Sequence, residues 1–356
     1  MPSGLTNLGN TCYMNATVQC LRSIPELHQA LNRYTGGLTV GGAIAPSDSI
    51  TAALRDLYQT MDRSGTAIPP IIFLQILHMA FPRFAEKGEE GGYQQQDANE
   101  CWTEIVRSLQ QKLPGESEGQ SSSAGSMQGF IDQYLGGEYE TTMKCVEAED
   151  EIETKGSEKF YQLSCFIEKE VKYMSTGLRS RLQESITKNS PTLGRDAVYT
   201  KSDVKFTMSL DVFDLCTPEL QAKLLPMRNK FKEQEDKFLE QSQKIKQNPG
   251  EEKKVEKKTR KEPYSFDDDI GSDNSGYYEL KAVLTHKGRS SSSGHYVGWV
   301  RQKGDEWLMF DDDRVSPVMS EDILKLSGGG DWHCAYVLLY APRRLEVEIE
   351  DEPMTS

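Results

Sequence analysis

No two of the seven cysteines form a Cys-x-x-Cys pair, and their positions (12, 20, 101, 145, 165, 216 and 334) follow no regular spacing. That spacing excludes a four-cysteine zinc site, and an odd, scattered set does not suit a disulfide framework. Long apolar runs are missing too. No stretch approaches a membrane span, and the N-terminus lacks the apolar segment of a secretion signal. The expectation is a soluble, intracellular protein. There is no basic surplus: 41 Lys and Arg stand against 55 Asp and Glu, a net charge of −14. This argues against nucleic acid or an anionic membrane as the main partner and favours cationic ligands. Histidine is scarce, with five in 356 residues, at 28, 78, 286, 295 and 333. Imidazole chemistry therefore has few places to reside. No internal repeat is present.

Three stretches read as weakly structured. Gly115–Met127 is a Gly/Ser/Glu-rich loop. Met227–Pro263 is charged and nearly free of large apolar residues after Leu239, which suits a solvated helix that frays. The acidic end from Glu346 reads as a tail, leaving 1–345 as one domain. The front third carries helical apolar spacing. Met14, Val18 and Leu21 follow Cys12, with Pro25 as the stop, and His28 falls in a helix-end stretch. Ile50, Leu54, Leu57 and Met61 form the next stripe, then Ile72, Ile76 and Met79, then Ala98, Cys101, Ile105 and Leu109. From about Tyr139 the character turns to strands: "YETTMKCV", "FYQLSCFI", and at the back "YYELKAVLTH", "HYVGWVR", "EWLMFD" and "AYVLLY". Helices first and strands later predict an α+β fold.

The chemistry-bearing residues start with "GLTNLGNTCYMN", Gly4 to Asn15. Cys12 falls at the start of a helix, where unpaired N–H groups and the helix dipole favour a thiolate. The Asn- and Gly-rich turn before it leaves room for an oxyanion hole, with Asn7 or Asn10 as side-chain donor. The same stretch equally fits an inert, buried cysteine behind an ordinary turn. Among the histidines, His78 and His28 read as structural. His295 follows a small polar loop and opens a strand, so it is both fixed and accessible. If "QKGD" (302–305) turns a hairpin centred on Lys303, His295 lies directly opposite Asp311, with Cβ atoms roughly 5 Å apart. Asp311 would then orient the imidazole. A one-residue slip brings in Asp312 instead, and a solvated acidic cluster at 311–313 is the bland alternative. Asp97 and Glu100 in "YQQQDANE" resemble a capping box, and an Asp97 facing a cleft would also suit a basic or amide-rich peptide.

These boxes resemble those of the ubiquitin-specific proteases. "GLTNLGNTCYMNATVQCL" is similar to their cysteine box, "QQDANE" to the box that follows, and "SSGHYVGWV", "WLMFDDDRVS" and "AYVLLY" to the histidine box and closing strands. The match runs in family order from Gly4 to about Tyr340. "SIPEL", "LSGGGDWH" and the missing finger cysteines resemble the proteasome-associated branch, whose N-terminal ubiquitin-like domain has no counterpart in these 356 residues. The resemblance implies a papain-like fold with fingers, palm and thumb. It also implies hydrolysis of isopeptide bonds after the C-terminal glycine of ubiquitin. Cys12 becomes the nucleophile, His295 the general base, Asp311 its orienting partner and Asn7 the oxyanion donor. Asp97, Gln96, Tyr296 and the loop serines Ser291, Ser292 and Ser293 become contacts for ubiquitin's basic tail; the loop is one that must move aside. Ubiquitin and ubiquitinated proteins are the implied partners, with the proteasome regulatory particle as a further one. Neither a cofactor nor zinc is expected, since Cys145 and Cys165 stand alone. The expected location is the cytoplasm, with the nucleus as a second compartment.

One departure stands out. Between "SPTLGRDAVYT" and "DVKFTMSLDVF" the family has a strand and a second blocking loop, and here only Lys201 and Ser202 intervene. Roughly thirty residues are missing, against connections of about 4–6 residues in ordinary loops. This keeps a second function in view: a ubiquitin- or proteasome-binding protein with the catalytic boxes but impaired turnover. A thiol redox protein is the weaker third reading, because no resolving cysteine stands near Cys12.

Overall fold

Among the described residues, six helices precede a sheet-rich second half. The computed structural model describes residues 1–38, 49–89, 91–116, 129–143, 154–165, 173–174, 177–178, 188–189, 196–197, 208–247, 259–290, 293–327 and 333–348. The front helices are α1 (Cys12–Arg22), α2 (Pro25–Arg33), α3 (Ile50–Arg63), α4 (Ile71–Ala80), α5 (Ala98–Lys112) and α6 (Phe130–Tyr134). The strands are β1 (Gly137–Met143), β2 (Thr154–Phe160), β3 (Lys188–Asn189), β4 (Asp196–Ala197), β5 (Ser209–Asp211), β6 (Thr259–Lys261), β7 (Ser265–Phe266), β8 (Asp269–Asp273), β9 (Tyr277–Ser290), β10 (Ser293–Lys303), β11 (Glu306–Asp311), β12 (Arg314–Met319), β13 (Cys334–Pro342) and β14 (Glu346–Glu348). The chain divides into two compact units. One comprises Met1–Met208 with Leu280–Tyr340, and the other Ser209–Glu279 with Ala341–Ser356.

In the first unit the apolar stripes of α3 and α5 are buried at every position the spacing picks out: Ile50, Leu54, Leu57 and Met61, then Ala98, Cys101, Ile105 and Leu109. Two readings need correction. Pro25 does not merely end α1; it opens α2 as its first residue, where the missing N–H costs nothing. His28 therefore sits within α2, with Nε2 2.9 Å from Asp62 Oδ2. In α4 the buried face is Phe73, Leu74, Ile76 and Leu77, while Ile72 and Met79 are 61% and 56% exposed. The run "IIFLQILHMA" is apolar on all sides, so periodicity cannot select its face.

The main sheet has the order β12-β11-β10-β9-β13. Alternation along its strands separates two cores. Ala282, Leu284, Tyr296, Val300, Leu308 and Phe310 join the core shared with the helices. Leu280, Val283, Val297, Trp299 and Trp307 pack with Ile323 and Leu326. Helix α1 lies against β10 at Gly298, where a Cβ would stand 3.3 Å from the Ala16 carbonyl oxygen and 3.5 Å from Cys20 Sγ. The buried indoles are satisfied, Trp299 donating to Thr285 Oγ1 at 2.9 Å and Trp307 to Ser320 Oγ at 3.1 Å. β2 ends at Phe160, where the sequence suggests a strand beginning. The next residue, Tyr161, is an anchor, its hydroxyl donating to Asp132 Oδ1 at 2.5 Å. Cys165 is exposed, and Cys145 lies outside the described residues, as do 117–127 of the Gly/Ser loop and the Ser202–Asp203 junction.

In the second unit, the charged stretch from Met227 belongs to a helix that starts earlier, Pro218–Gln247, and runs through Pro226. Residues 248–258 lie outside the described set. Arg228 fastens this helix. It donates to Asp211 Oδ1 and Oδ2 at 2.9 and 2.7 Å and to the Ser275 carbonyl at 3.0 Å, and its guanidinium lies over Phe213 and Tyr277. The acidic end is not a plain tail. Its first residues form β14, antiparallel to β6 with Glu346 opposite Lys261, and those two side chains pair at 3.5 Å. Residues 349–356 lie outside the described set.

Candidate active site

The "NLGNT" turn folds upon itself. Asn7 Oδ1 accepts from the Gly9 N–H at 2.9 Å and the Thr11 N–H at 3.3 Å, and Thr11 Oγ1 accepts from the Leu8 N–H at 2.9 Å. Gly9 and Asn10 adopt positive φ, 103° and 54°, a conformation that Gly and Asn tolerate best. Asn10 Nδ2 donates to the Tyr93 carbonyl at 2.8 Å, tying the turn to the segment before α5. These contacts deliver Cys12 as the first residue of α1, only 2% exposed. Its sulfur is approached by donors: Gln95 Nε2 at 3.1 Å and the Tyr296 N–H at 3.5 Å. Of the neighbouring glutamines, Gln95 reaches the sulfur, whereas the sequence singled out Gln96.

His295 Nε2 stands 2.6 Å from Asp311 Oδ1, leaving Nδ1 for the sulfur side. The expected route to this contact needs revision. The hairpin pairs Trp299 with Met309 and Val300 with Leu308, its turn falls at Gly304–Asp305, and a bulge follows Arg301. With the turn shifted toward the C-terminus, His295 and Asp311 are diagonal neighbours, not directly opposed ones, and their side chains close the remaining gap. The Cys12 sulfur and the Asp311 carboxylate, acting against burial, push the His295 imidazole up to about 9. Burial pushes His78, His286 and His333 down. His333 meets Thr285 Oγ1 at 3.2 Å and stands edge-on to Trp299.

Asp312, the alternative in a slipped register, has its own place. At φ 52° it forms the turn between β11 and β12 and is buried. Its Oδ2 accepts from Asn7 Nδ2 at 2.9 Å and its Oδ1 from Asn15 Nδ2 at 2.8 Å. Its carbonyl accepts from the Leu5 N–H at 2.9 Å. This close seam requires Gly4, because a Cβ there would lie 2.6–2.8 Å from the carbonyl oxygens of Asp313 and Asp312. Ligand atoms of His295, Asp311 and Asp312 lie within 4.8 Å of one another. Both Asp312 oxygens are already engaged by amides, and Asp311 holds the imidazole, so the trio is better suited to orienting groups than to holding an ion.

Asp97 caps α5. Its Oδ1 accepts from the Asn99 and Glu100 N–H groups at 2.7 and 3.1 Å. Glu100 turns to Arg83 at 3.3 Å, so the box is not reciprocal. Tyr296 is buried, its ring 4.6 Å from His286 and 6.0 Å from Tyr336. Ser293 opens β10, whereas Ser291 and Ser292 lie outside the described residues. Sequence reasoning missed Gln95, Asn15 and Asp312's engagement of both asparagines. The only signals were the repeated glutamines and a third Asn, one turn into the helix.

Comparison with known proteins agrees with this arrangement. The sequence profile described as ubiquitin carboxyl-terminal hydrolase matches residues 3–340. Ubiquitin carboxyl-terminal hydrolase 6 of Arabidopsis thaliana is 35% identical over 384 residues, covering 96% of this chain and 78% of the relative. Ubiquitin carboxyl-terminal hydrolase 14 of Caenorhabditis elegans is 36% identical over 389 residues, covering 96% and 73%. Ubiquitin carboxyl-terminal hydrolase 6 of Schizosaccharomyces pombe is 36% identical over 387 residues, covering 95% and 78%. These alignments are longer than the 356 residues of the chain, so the relatives carry segments absent from it. A helical front, an antiparallel sheet and a cysteine facing a carboxylate-bound histidine are the α+β, papain-like arrangement of that family, and the chain belongs to the ubiquitin carboxyl-terminal hydrolases.

Proposed function

We propose that the chain is a thiol-dependent deubiquitinase that hydrolyses isopeptide bonds after the C-terminal glycine of ubiquitin. The observation that carries this reading is one histidine held at 2.6 Å by Asp311 and pushed up to about 9 by the neighbouring Cys12 sulfur. Cys12 attacks the carbonyl carbon. The developing oxyanion is held by backbone N–H groups at the start of α1 and by the Asn7 amide, which Asp312 orients. His295 gives its proton to the leaving lysine amine, forming a thioester to ubiquitin and a free amine. It then takes a proton from water as the water displaces the thiol, releasing the carboxylate. Asp311 fixes the ring and its charge throughout. Asp97, Gln96, Tyr296 and the serines 291–293 receive the tail in this reading. Resemblance to the proteasome-associated branch supports the regulatory particle as a partner, with the cytoplasm and nucleus as the places of work.

A ubiquitin probe with a C-terminal electrophile tests the reaction. It is expected to label wild-type protein and not Cys12→Ala. A second reading, ubiquitin binding without turnover, is favoured by the segments that the relatives carry and this chain lacks. Binding of ubiquitin without labelling would establish it and remove the first.

A further inference from the structure

Asp97 has one oxygen beyond its capping duty, and that oxygen is occupied. Oδ2 accepts from the Tyr336 hydroxyl at 2.5 Å. Tyr336 belongs to β13 and Asp97 is the N-cap of α5, so this hydrogen bond ties the sheet to the start of a helix. The bond also lies beside the reacting groups. The Tyr336 ring is 6.0 Å from that of Tyr296, whose N–H approaches the Cys12 sulfur. Among the described residues no ion pair reaches Asp97. We propose that Tyr336 is a latch on the substrate groove. In the free protein its hydroxyl masks the Asp97 carboxylate, and the basic tail of ubiquitin must displace it to bind.

A latch fits better than a brace. Two backbone N–H groups at Oδ1 already fix the plane of the carboxylate, so Tyr336 is not needed to orient it. Nor is Tyr336 held by burial, being 44% exposed. Burial and the Asp97 hydrogen bond both push its phenol up, so it stays a donor at working pH. A binding-competent form populated only in part weakens the apparent affinity by that fraction, and removing the competing hydroxyl restores it.

The proposal rests on the reading that Asp97 receives the ubiquitin tail, and the test separates the two. Affinity for ubiquitin is measured calorimetrically on the full chain carrying Cys12→Ala, with and without Tyr336→Phe. Turnover is measured separately on the wild type. Tyr336→Phe keeps the ring, and an unchanged melting temperature controls for folding. It is expected to tighten ubiquitin binding about 3- to 10-fold. In an Asp97→Asn background the same change should have little effect, because the masked charge is gone. Tightening without wild-type turnover supports the latch and overturns only the catalytic reading. Unchanged or weaker binding, or tightening that persists with Asn at 97, overturns the latch while leaving catalysis standing. Absence of ubiquitin binding in both proteins overturns both.

Discussion

Two clusters of charged groups, the Arg228 clasp of the second unit and the Cys12 corner of the first, use similar parts to different ends. At Arg228 the valences close on one another. Asp211 receives both guanidinium arms and the Phe213 N–H, and Phe213 and Tyr277 carry the guanidinium on their rings. Burial works against the charge on Asp211, yet the Arg228 hydrogen bonds outweigh it and hold the carboxyl below its usual range. At Cys12 the sulfur meets the Gln95 amide and the Tyr296 N–H, and one imidazole nitrogen is held by a carboxylate while the other is free to exchange a proton. Closure identifies a fastening, and a deliberate shortfall on one side identifies a reacting site.

The contrast can be broken in several places. The largest effect should come from His295→Ala, with turnover falling by about 10³-fold or more while ubiquitin affinity changes little. His333→Ala should leave turnover standing, and steady-state kinetics with a ubiquitin-aminocoumarin substrate would expose a reversed ranking. Next is Asp312→Ala, which strands the Asn7 and Asn15 amides. A loss of roughly 10²-fold in kcat should accompany a stability loss of about 1–3 kcal/mol, read by denaturant melts. An unchanged kcat would mean that Asn7 needs no orienting partner. Arg228→Ala should cost about 1–3 kcal/mol as well, with kcat/KM of the folded protein unaltered. A kinetic defect there would erase the distinction between fastening and site. The smallest and most informative change concerns pH. The His295 pKa lies above its ordinary 6.5, so the pairing that favours imidazolium is complete below about 6.5 and lost as pH rises through about 9. An alkaline limb of kcat/KM near 9 is expected, moving to lower pH in Asp311→Asn; a limb that stays in place would assign it to another group.

What the sequence disclosed about these regions depended on range. Helical stripes of α3 and α5 were legible because one face is apolar and the other is not, whereas α4 is apolar all round and its face was set by what packs on it. The closeness of His295 and Asp311 was legible from a hairpin, since a two-residue error in register keeps side chains on the same side of the pleat. The turn itself was misplaced because the positive φ of Gly304 and the bulge after Arg301 are backbone facts that residue types only suggest. Asp312 reaching Asn15 spans 297 positions, and no local pattern announces such a pair. The same holds for β6 and β14, two charged stretches that each look unstructured alone and find in each other opposite charge and a complementary backbone edge.

Gly298 carries a consequence for the reaction that touches neither substrate nor thiol. It lies three residues from His295 along β10, and the Ala16 backbone it meets lies one turn from Cys12 along α1. The bare α-carbon therefore acts as a spacer gauge between nucleophile and base. A methyl group at 298 would have to push the helix back by a few tenths of an ångström, lengthening the path of a proton whose transfer is acutely sensitive to distance. The reach between the two reacting groups is thus written into an atom that is not there.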